Sequence, residues 1–260
     1  MTTKRDEEEK SLAMLLRALK LPTFAALYEE TTLSASKQGW SFPRYLHRLA
    51  EAELSAREVN RVERMLKASG LPKSKTLETL NLERLPPKVQ RQVPALCEGG
   101  FVNRAENVLV FGLPGRGKTH LVCAIGRELV TRGRAVLFVP TFKLVQRLLV
   151  AKRELALEAE LRKLDRFDAV ILDDIGYVQQ DREEMEVLFT FLGERYERRS
   201  VLITSNLVFS QWDRIFKDSM TTAAAIDRLV HHATILELTS KKSVRAEDAE
   251  KKNRNANCEQ

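Results

Sequence analysis

A chain of 260 residues with 43% hydrophobic side chains can bury one sizeable core and a smaller one, which excludes wholesale disorder. Its net charge of +7 and pI of about 9.4 favour a polyanionic partner, nucleic acid before membrane, although charge alone also fits a basic surface that binds nothing. Cys97, Cys123 and Cys258 show neither metal-ligand spacing nor an even-numbered framework, as expected in a reducing compartment. The opening MTTKRDEEEK is charged, unlike a signal peptide, and the longest uncharged run, Ser200 to Trp212, is 13 residues and too polar to span a bilayer. The expectation is a soluble cytoplasmic protein with no membrane partner.

In chain order, residues 1–75 read as a small all-helical domain. Leu12, Leu15, Leu16 and Leu19 form one amphipathic stripe that Pro22 breaks. A second, short helix is expected through Ala25, Ala26 and Tyr28, and Gly39 ends that region. A long helix from about Phe42 to Ala68 follows, with Phe42, Tyr45, Leu49, Ala52, Ala56, Val59, Val62 and Leu66 along its predicted buried side; Gly70 and Pro72 stop it. Its outer face carries Arg44, Arg48, Arg57, Arg61, Arg64 and Lys67, with Lys73 and Lys75 just beyond. These residues suit phosphate tracking on DNA, or else a solvated face of Glu–Arg pairs with Glu51, Glu53, Glu58 and Glu63. Residues 76–106, punctuated by Pro86, Pro87 and Pro94, read as a connector containing a short helix that Gly99 and Gly100 close.

From 107 to 240 apolar runs alternate with helical patterns. Strands are expected at 108–111, 135–139, 169–172, 201–204 and 235–238, and helices after the first at 141–164 (with a break), 182–197 and 223–230. Near-continuous apolar strands alternating with helices predict an α/β fold, a parallel five-stranded sheet covered on both faces. The polar stretch 241–260 reads as a charged tail.

Gly112-Leu113-Pro114-Gly115-Arg116-Gly117-Lys118-Thr119 follows the first strand and precedes a helix, which is the context a phosphate-binding loop requires. Its glycines let backbone N–H groups turn inward around phosphate oxygens, Lys118 supplies charge for the β- and γ-phosphates, and Thr119 supplies a hydroxyl for Mg²⁺. The cofactor expected is ATP with Mg²⁺, and the binding stretch is taken through His120. The third strand ends in Asp173, placed to hold Mg²⁺, and Asp174, placed to orient or deprotonate a water. Asn206 ends the fourth strand, where its amide can reach a γ-phosphate; an ordinary Asx-turn is the alternative. Arg228 sits on the last helix, suited to phosphoryl charge in a neighbouring subunit or to a salt bridge with Asp227. His231-His232 read as structural, because adjacent histidines on a helix point apart.

GLPGRGKTH, ILDDIGY, LITSN, FSQW and AAIDRLVHHA, in this order, resemble the IstB-like AAA+ ATPases, transposition helpers of IS21-type insertion sequences related to the DnaC helicase loaders and DnaA initiators. The resemblance extends to the helical start, to LKLPTFA and LHRLAEAEL, and to Lys75-Thr76-Leu77-Glu78. It implies a P-loop AAA+ core in which residues 112–119 are Walker A, Asp173 and Asp174 Walker B, Asn206 sensor 1 and Arg228 the arginine finger. It also implies self-assembly on double-stranded DNA, largely without sequence reading, and delivery of that DNA to a partner transposase. The alternatives are a helicase loader, a small-molecule P-loop kinase and an ATP-binding scaffold without turnover. Two departures stand out. Asp174 replaces a more usual glutamate, which with its shorter reach implies slow hydrolysis; and Ser243-Val244-Arg245 replaces a Ser-Tyr-Arg triplet, which puts a sensor role for Arg245 in doubt.

Overall fold

The computed structural model describes residues 11–177, 182–207, 211–212 and 219–238. The tail at 241–260, Arg245 within it, and the start of the FSQW stretch lie outside them. The chain divides into two compact units, Met1–Arg64 and Met65–Gln260.

The first unit is helical: α1 (11–18), α2 (Pro22–Gln38) and most of α3 (Phe42–Ser69). α2 runs 17 residues rather than being short. Nothing between Pro22 and Gly39 breaks a helix, and Gly39 closes it in the left-handed conformation at φ 61°. The predicted apolar stripes hold only in part. Leu16 and Leu49 are buried, whereas Leu15, Leu19, Phe42 and Val59 are exposed. α3 meets α2 from Tyr45, whose hydroxyl lies 3.1 Å from Thr32 Oγ1 and 3.4 Å from the Tyr28 carbonyl, to Glu53, and there the buried line includes a charge. Glu53 is only 3% exposed and accepts hydrogen bonds from the backbone N–H groups of Thr23 (2.8 Å) and Phe24 (3.3 Å), donors in the first turn of α2. Leu21, the residue before that helix, offers no side-chain cap, so a carboxylate from α3 does its work. Arg57 donates Nε to Glu53 at 2.8 Å and a second nitrogen to the Lys20 carbonyl at 2.6 Å.

The second unit begins inside α3 and differs from the expected domain plan. Residues 76–106 are not a connector. They form a 3₁₀ turn (Leu82–Arg84), α4 (Pro87–Glu98) and α5 (Gly100–Asn103), and Leu80, Leu85, Val89, Val93, Leu96 and Phe101 enter the core. Pro94 lies within α4 instead of ending it.

The remaining elements are β1 (Asn107–Phe111), α6 (Lys118–Thr131), β2 (Val136–Pro140), α7 (Thr141–Arg153), α8 (Leu157–Leu164), β3 (Ala169–Asp173), a 3₁₀ turn (Ile175–Tyr177), α9 (Arg182–Arg195), β4 (Ser200–Ser205), α10 (Ser219–Val230) and β5 (Ala233–Glu237). The break between α7 and α8 falls at Leu155, exposed and left-handed at φ 56°. The five strands are all parallel, in the order β2-β3-β4-β1-β5. Alternate strand residues face two cores. Val108, Val110, Ile171 and Leu202 join α4 and α6 on one face; Leu109, Phe111, Leu172 and Ile203 join residues of α7, α9 and α10 on the other. Arg195, 2% exposed, ends α9 by donating to the carbonyls of Leu164, Phe167 and Ser200, and burial pulls its pKa down to about 10. Because β4 separates β1 from β3, the loops leaving these three strands emerge side by side at the C-terminal edge of the sheet.

Burial alone would raise the pKa of Glu53, but the hydrogen bonds from Arg57, Thr23 and Phe24 outweigh it and hold the carboxyl below its ordinary value. A lowered pKa gives stability that is complete above the unfolded value of about 4.3 and lost as pH falls through the folded one. Amide exchange at Thr23 and Phe24 should therefore be slower in wild type than in Glu53→Gln at pH 6, and the difference should shrink and disappear as pH falls below the ordinary carboxylate range and through the lowered pKa of Glu53.

Candidate nucleotide-binding site

The loop from Gly112 to Gly117 turns β1 into α6. Gly117 adopts φ 85° just before Lys118, with nothing within 4 Å of a Cβ placed there. Glycine at 117 thus serves the left-handed backbone rather than a close contact. The Lys118 side chain lies back across the loop, its Nζ 2.7 Å from the Gly112 carbonyl and 3.2 Å from that of Leu113. Together Pro114, Gly115, Arg116, Gly117, Lys118, Thr119 and His120 line a pocket of about 200 Å³, completed by Asp174, Thr204, Asn206 and Lys75.

The carboxylates at the end of β3 are organised by β4. The Thr204 hydroxyl donates to Asp173 Oδ1 at 2.7 Å and accepts from the Asp174 backbone N–H at 2.8 Å. The buried Thr141 hydroxyl donates to the Asp173 carbonyl at 3.0 Å. Asp174 has φ 64°, a left-handed conformation that aspartate tolerates better than longer side chains. The backbone thus gives a physical reason for aspartate at 174 that chain length alone did not. Asn206 sits against the following 3₁₀ turn: a Cβ on Gly176 would lie 2.3 Å from its Oδ1, so a larger residue there would have to push the amide aside. That buried Oδ1 has no hydrogen-bond partner among the described residues.

Three expectations fall elsewhere. Arg228 does not line the pocket; its guanidinium carbon stacks 4.5 Å over the Phe189 ring and its Nη1 crosses Gly193, where a Cβ would be 3.1 Å away. His231 and His232 follow the end of α10 in a turn, so the helical argument for divergence does not apply, and their ring centroids are 4.1 Å apart. With Glu197 they form an exposed group whose ligand atoms lie within 4.8 Å of one another, and His231 Nδ1 shares a 3.0 Å hydrogen bond with the Tyr196 hydroxyl. On α3, Arg48 pairs with Glu51 (3.3 Å) and Arg61 with Glu58 (2.8 Å), Arg64 donates to the Asn60 carbonyl, and Arg44 stacks on Trp40. Lys67 is exposed. Thr204 and Lys75 were missed as site residues. Thr204 was visible only as part of LITSN, and Lys75 was read with the basic face.

The profile of the family described as IstB-like ATP binding protein matches residues 14–252. The chain belongs to that family. This IstB-like protein is 46% identical over 232 residues to an insertion sequence ATP-binding protein of Sinorhizobium fredii, covering 89% of this chain and 78% of the relative. It is 37% identical to the IS21 ATP-binding protein of Pseudomonas aeruginosa, covering 87% and 86%. Among solved structures it is similar to the replication initiator DnaA bound to AMPPCP and single-stranded DNA (TM-score 0.57, 18% identity, 72% of this chain and 57% of that one). It is also similar to DnaI (TM-score 0.53, 21% identity, 67% and 93%). These likenesses show the P-loop AAA+ fold. No helix among the described residues is long and apolar enough to cross a membrane.

Thr204→Val keeps the shape of the side chain and deletes both of its hydrogen bonds, leaving buried groups unpaired. It should cost about 1–3 kcal/mol in urea unfolding, and Thr204→Ser should recover most of that loss.

Proposed function

We propose that this IstB-like protein is a DNA-dependent ATPase that assembles on duplex DNA with ATP held between subunits, and that the assembly delivers target DNA to the transposase of its element. The observation that carries the nucleotide part is the convergence, in one pocket, of the phosphate loop with Asp174 and Asn206 from two further strand ends. The residues suit ATP with Mg²⁺. The left-handed Gly117 leaves backbone donors facing an open cradle, and the buried Asn206 Oδ1 awaits a donor such as a water. Thr119 and Asp173 would hold Mg²⁺, whose charge screens the phosphates and stabilises the transferring group. Lys118 binds the β- and γ-phosphates; Asp174 orients and accepts a proton from the attacking water; Asn206 fixes that water or the γ-phosphate.

Arg228 lies outside its own pocket, which suits an arginine that acts on a neighbour's nucleotide. The reading also draws on the names of the relatives, which are insertion sequence ATP-binding proteins, and on a DnaA neighbour solved with AMPPCP and single-stranded DNA. On α3, exposed ion pairs such as Arg48–Glu51 and Arg61–Glu58 are weak in water, so their arginines can be given up to DNA phosphates. Arg57 is the exception, since two of its donors hold the α2 cap.

Light-scattering sizing with ATP and duplex DNA should show large assemblies for wild type and none for Lys118→Ala or Arg228→Ala. A monomer with both ligands in excess would refute the reading. DNA affinity should fall by about 10³-fold or more between 50 and 200 mM salt if six phosphates are contacted. Asp174→Glu should raise turnover on DNA, and an unchanged rate would show that side-chain reach does not limit hydrolysis.

A further inference from the structure

Lys75 enters the pocket from outside every nucleotide motif. It lies in the segment 71–80, between the end of α3 and the 3₁₀ turn at 82–84, and lines the same cavity as the phosphate loop. The segment is anchored on both sides of it. Leu71 and Leu80 are core residues, and Leu77 packs against the same core. Thr76 and Thr79 cap each other: the Thr76 N–H donates to Thr79 Oγ1 (3.0 Å) and the Thr79 N–H to Thr76 Oγ1 (3.3 Å). From the first turn of α6, His120 Nε2 reaches both the Thr76 carbonyl and Thr79 Oγ1 at 3.1 Å. A carbonyl can only accept, so Nε2 carries the proton. The imidazole thereby latches the segment to the helix that begins at Lys118.

The Lys75 side chain is partly buried and makes no ion pair among the described residues. Its charge is felt beneath the loop, where it opposes the burial that raises the Cys123 thiol to about 12. A partly buried lysine that lines the phosphate cradle and makes no ion pair among the described residues is suited to an anion there, even with Asp174 in the same lining.

We propose that Lys75 is a second phosphate-binding cation, supplied by the 71–80 segment and held in place by the Thr76–Thr79–His120 latch. This rests on the ATP-binding reading of the pocket. It also makes the segment that leaves α3 a reporter of nucleotide occupancy, because whatever the ammonium contributes to binding the nucleotide returns as order in that segment.

The test uses the full chain and fluorescent ATP and ADP analogues, with affinities measured for wild type, Lys75→Ala, Lys75→Arg, His120→Ala and Lys118→Ala. Lys75→Ala should bind about 10-fold more weakly, the loss of one charge-assisted contact, whereas Lys75→Arg should stay within about 3-fold of wild type. His120→Ala should show an intermediate loss and faster amide exchange at Thr79 and Leu80 before nucleotide is added. Equal affinity of wild type and Lys75→Ala, while Lys118→Ala is impaired, would overturn the role of Lys75 and leave the ATP reading intact. Failure of wild type itself to bind would overturn the ATP reading and this inference with it. Should Lys75→Ala prove unfolded by circular dichroism, Lys75→Gln set against Lys75→Arg decides the same question.

Discussion

One hydroxyl on the middle strand holds the candidate catalytic end of this molecule together. Thr204 bonds the side chain of Asp173 and the backbone of Asp174 at once, so one carboxylate and the peptide that carries the next are held by the same group. That arrangement is available only because β4 lies between β1 and β3. A hydroxyl on β4 can then serve the carboxylates of one neighbour while the phosphate loop rises from the other. The strand order is thus a condition of the chemistry as well as of the fold.

The nucleotide-binding unit was largely legible in the sequence because its signals are local. Each central strand is a run of apolar residues with both faces buried, and each ends where a glycine, a carboxylate or an amide interrupts the run. Periodicity failed where burial depends on a distant partner. Leu85, Val89 and Val93 look like residues of a connector until α6 and the sheet are there to receive them. On α3 the apolar spacing suggested a stripe along the whole helix, but Phe42 and Val59 stay exposed. Glu53 was counted among solvated acids because nothing near it in the chain announces that it caps another helix.

The site divides along the same line. Residues 114–120, Asp174 and Asn206 converge on one pocket, on segments that leave three strand ends, whereas Gly112, Leu113 and Asp173 do not line it. Thr204 and Lys75 were missed for opposite reasons. Thr204 resembles an ordinary strand residue, and its importance lies in a hydrogen bond to a neighbouring strand. Lys75 resembles one more charge in a basic run, and only the core anchors at Leu71 and Leu80 set it apart. The histidine pair shows the converse error. Directions inferred for a helix do not carry over to residues just past its end, where a turn brought the two rings together.

The contact between Asn206 and Gly176 has a mechanical consequence. The amide oxygen rests where a methyl group on residue 176 would be, so glycine is what lets the Asn206 side chain lie against the turn. The turn it lies against starts immediately after Asp174. The polar end of β4 and the acidic end of β3 are therefore neighbours through this turn, and a side chain added at 176 would displace the amide from its place beside Asp174.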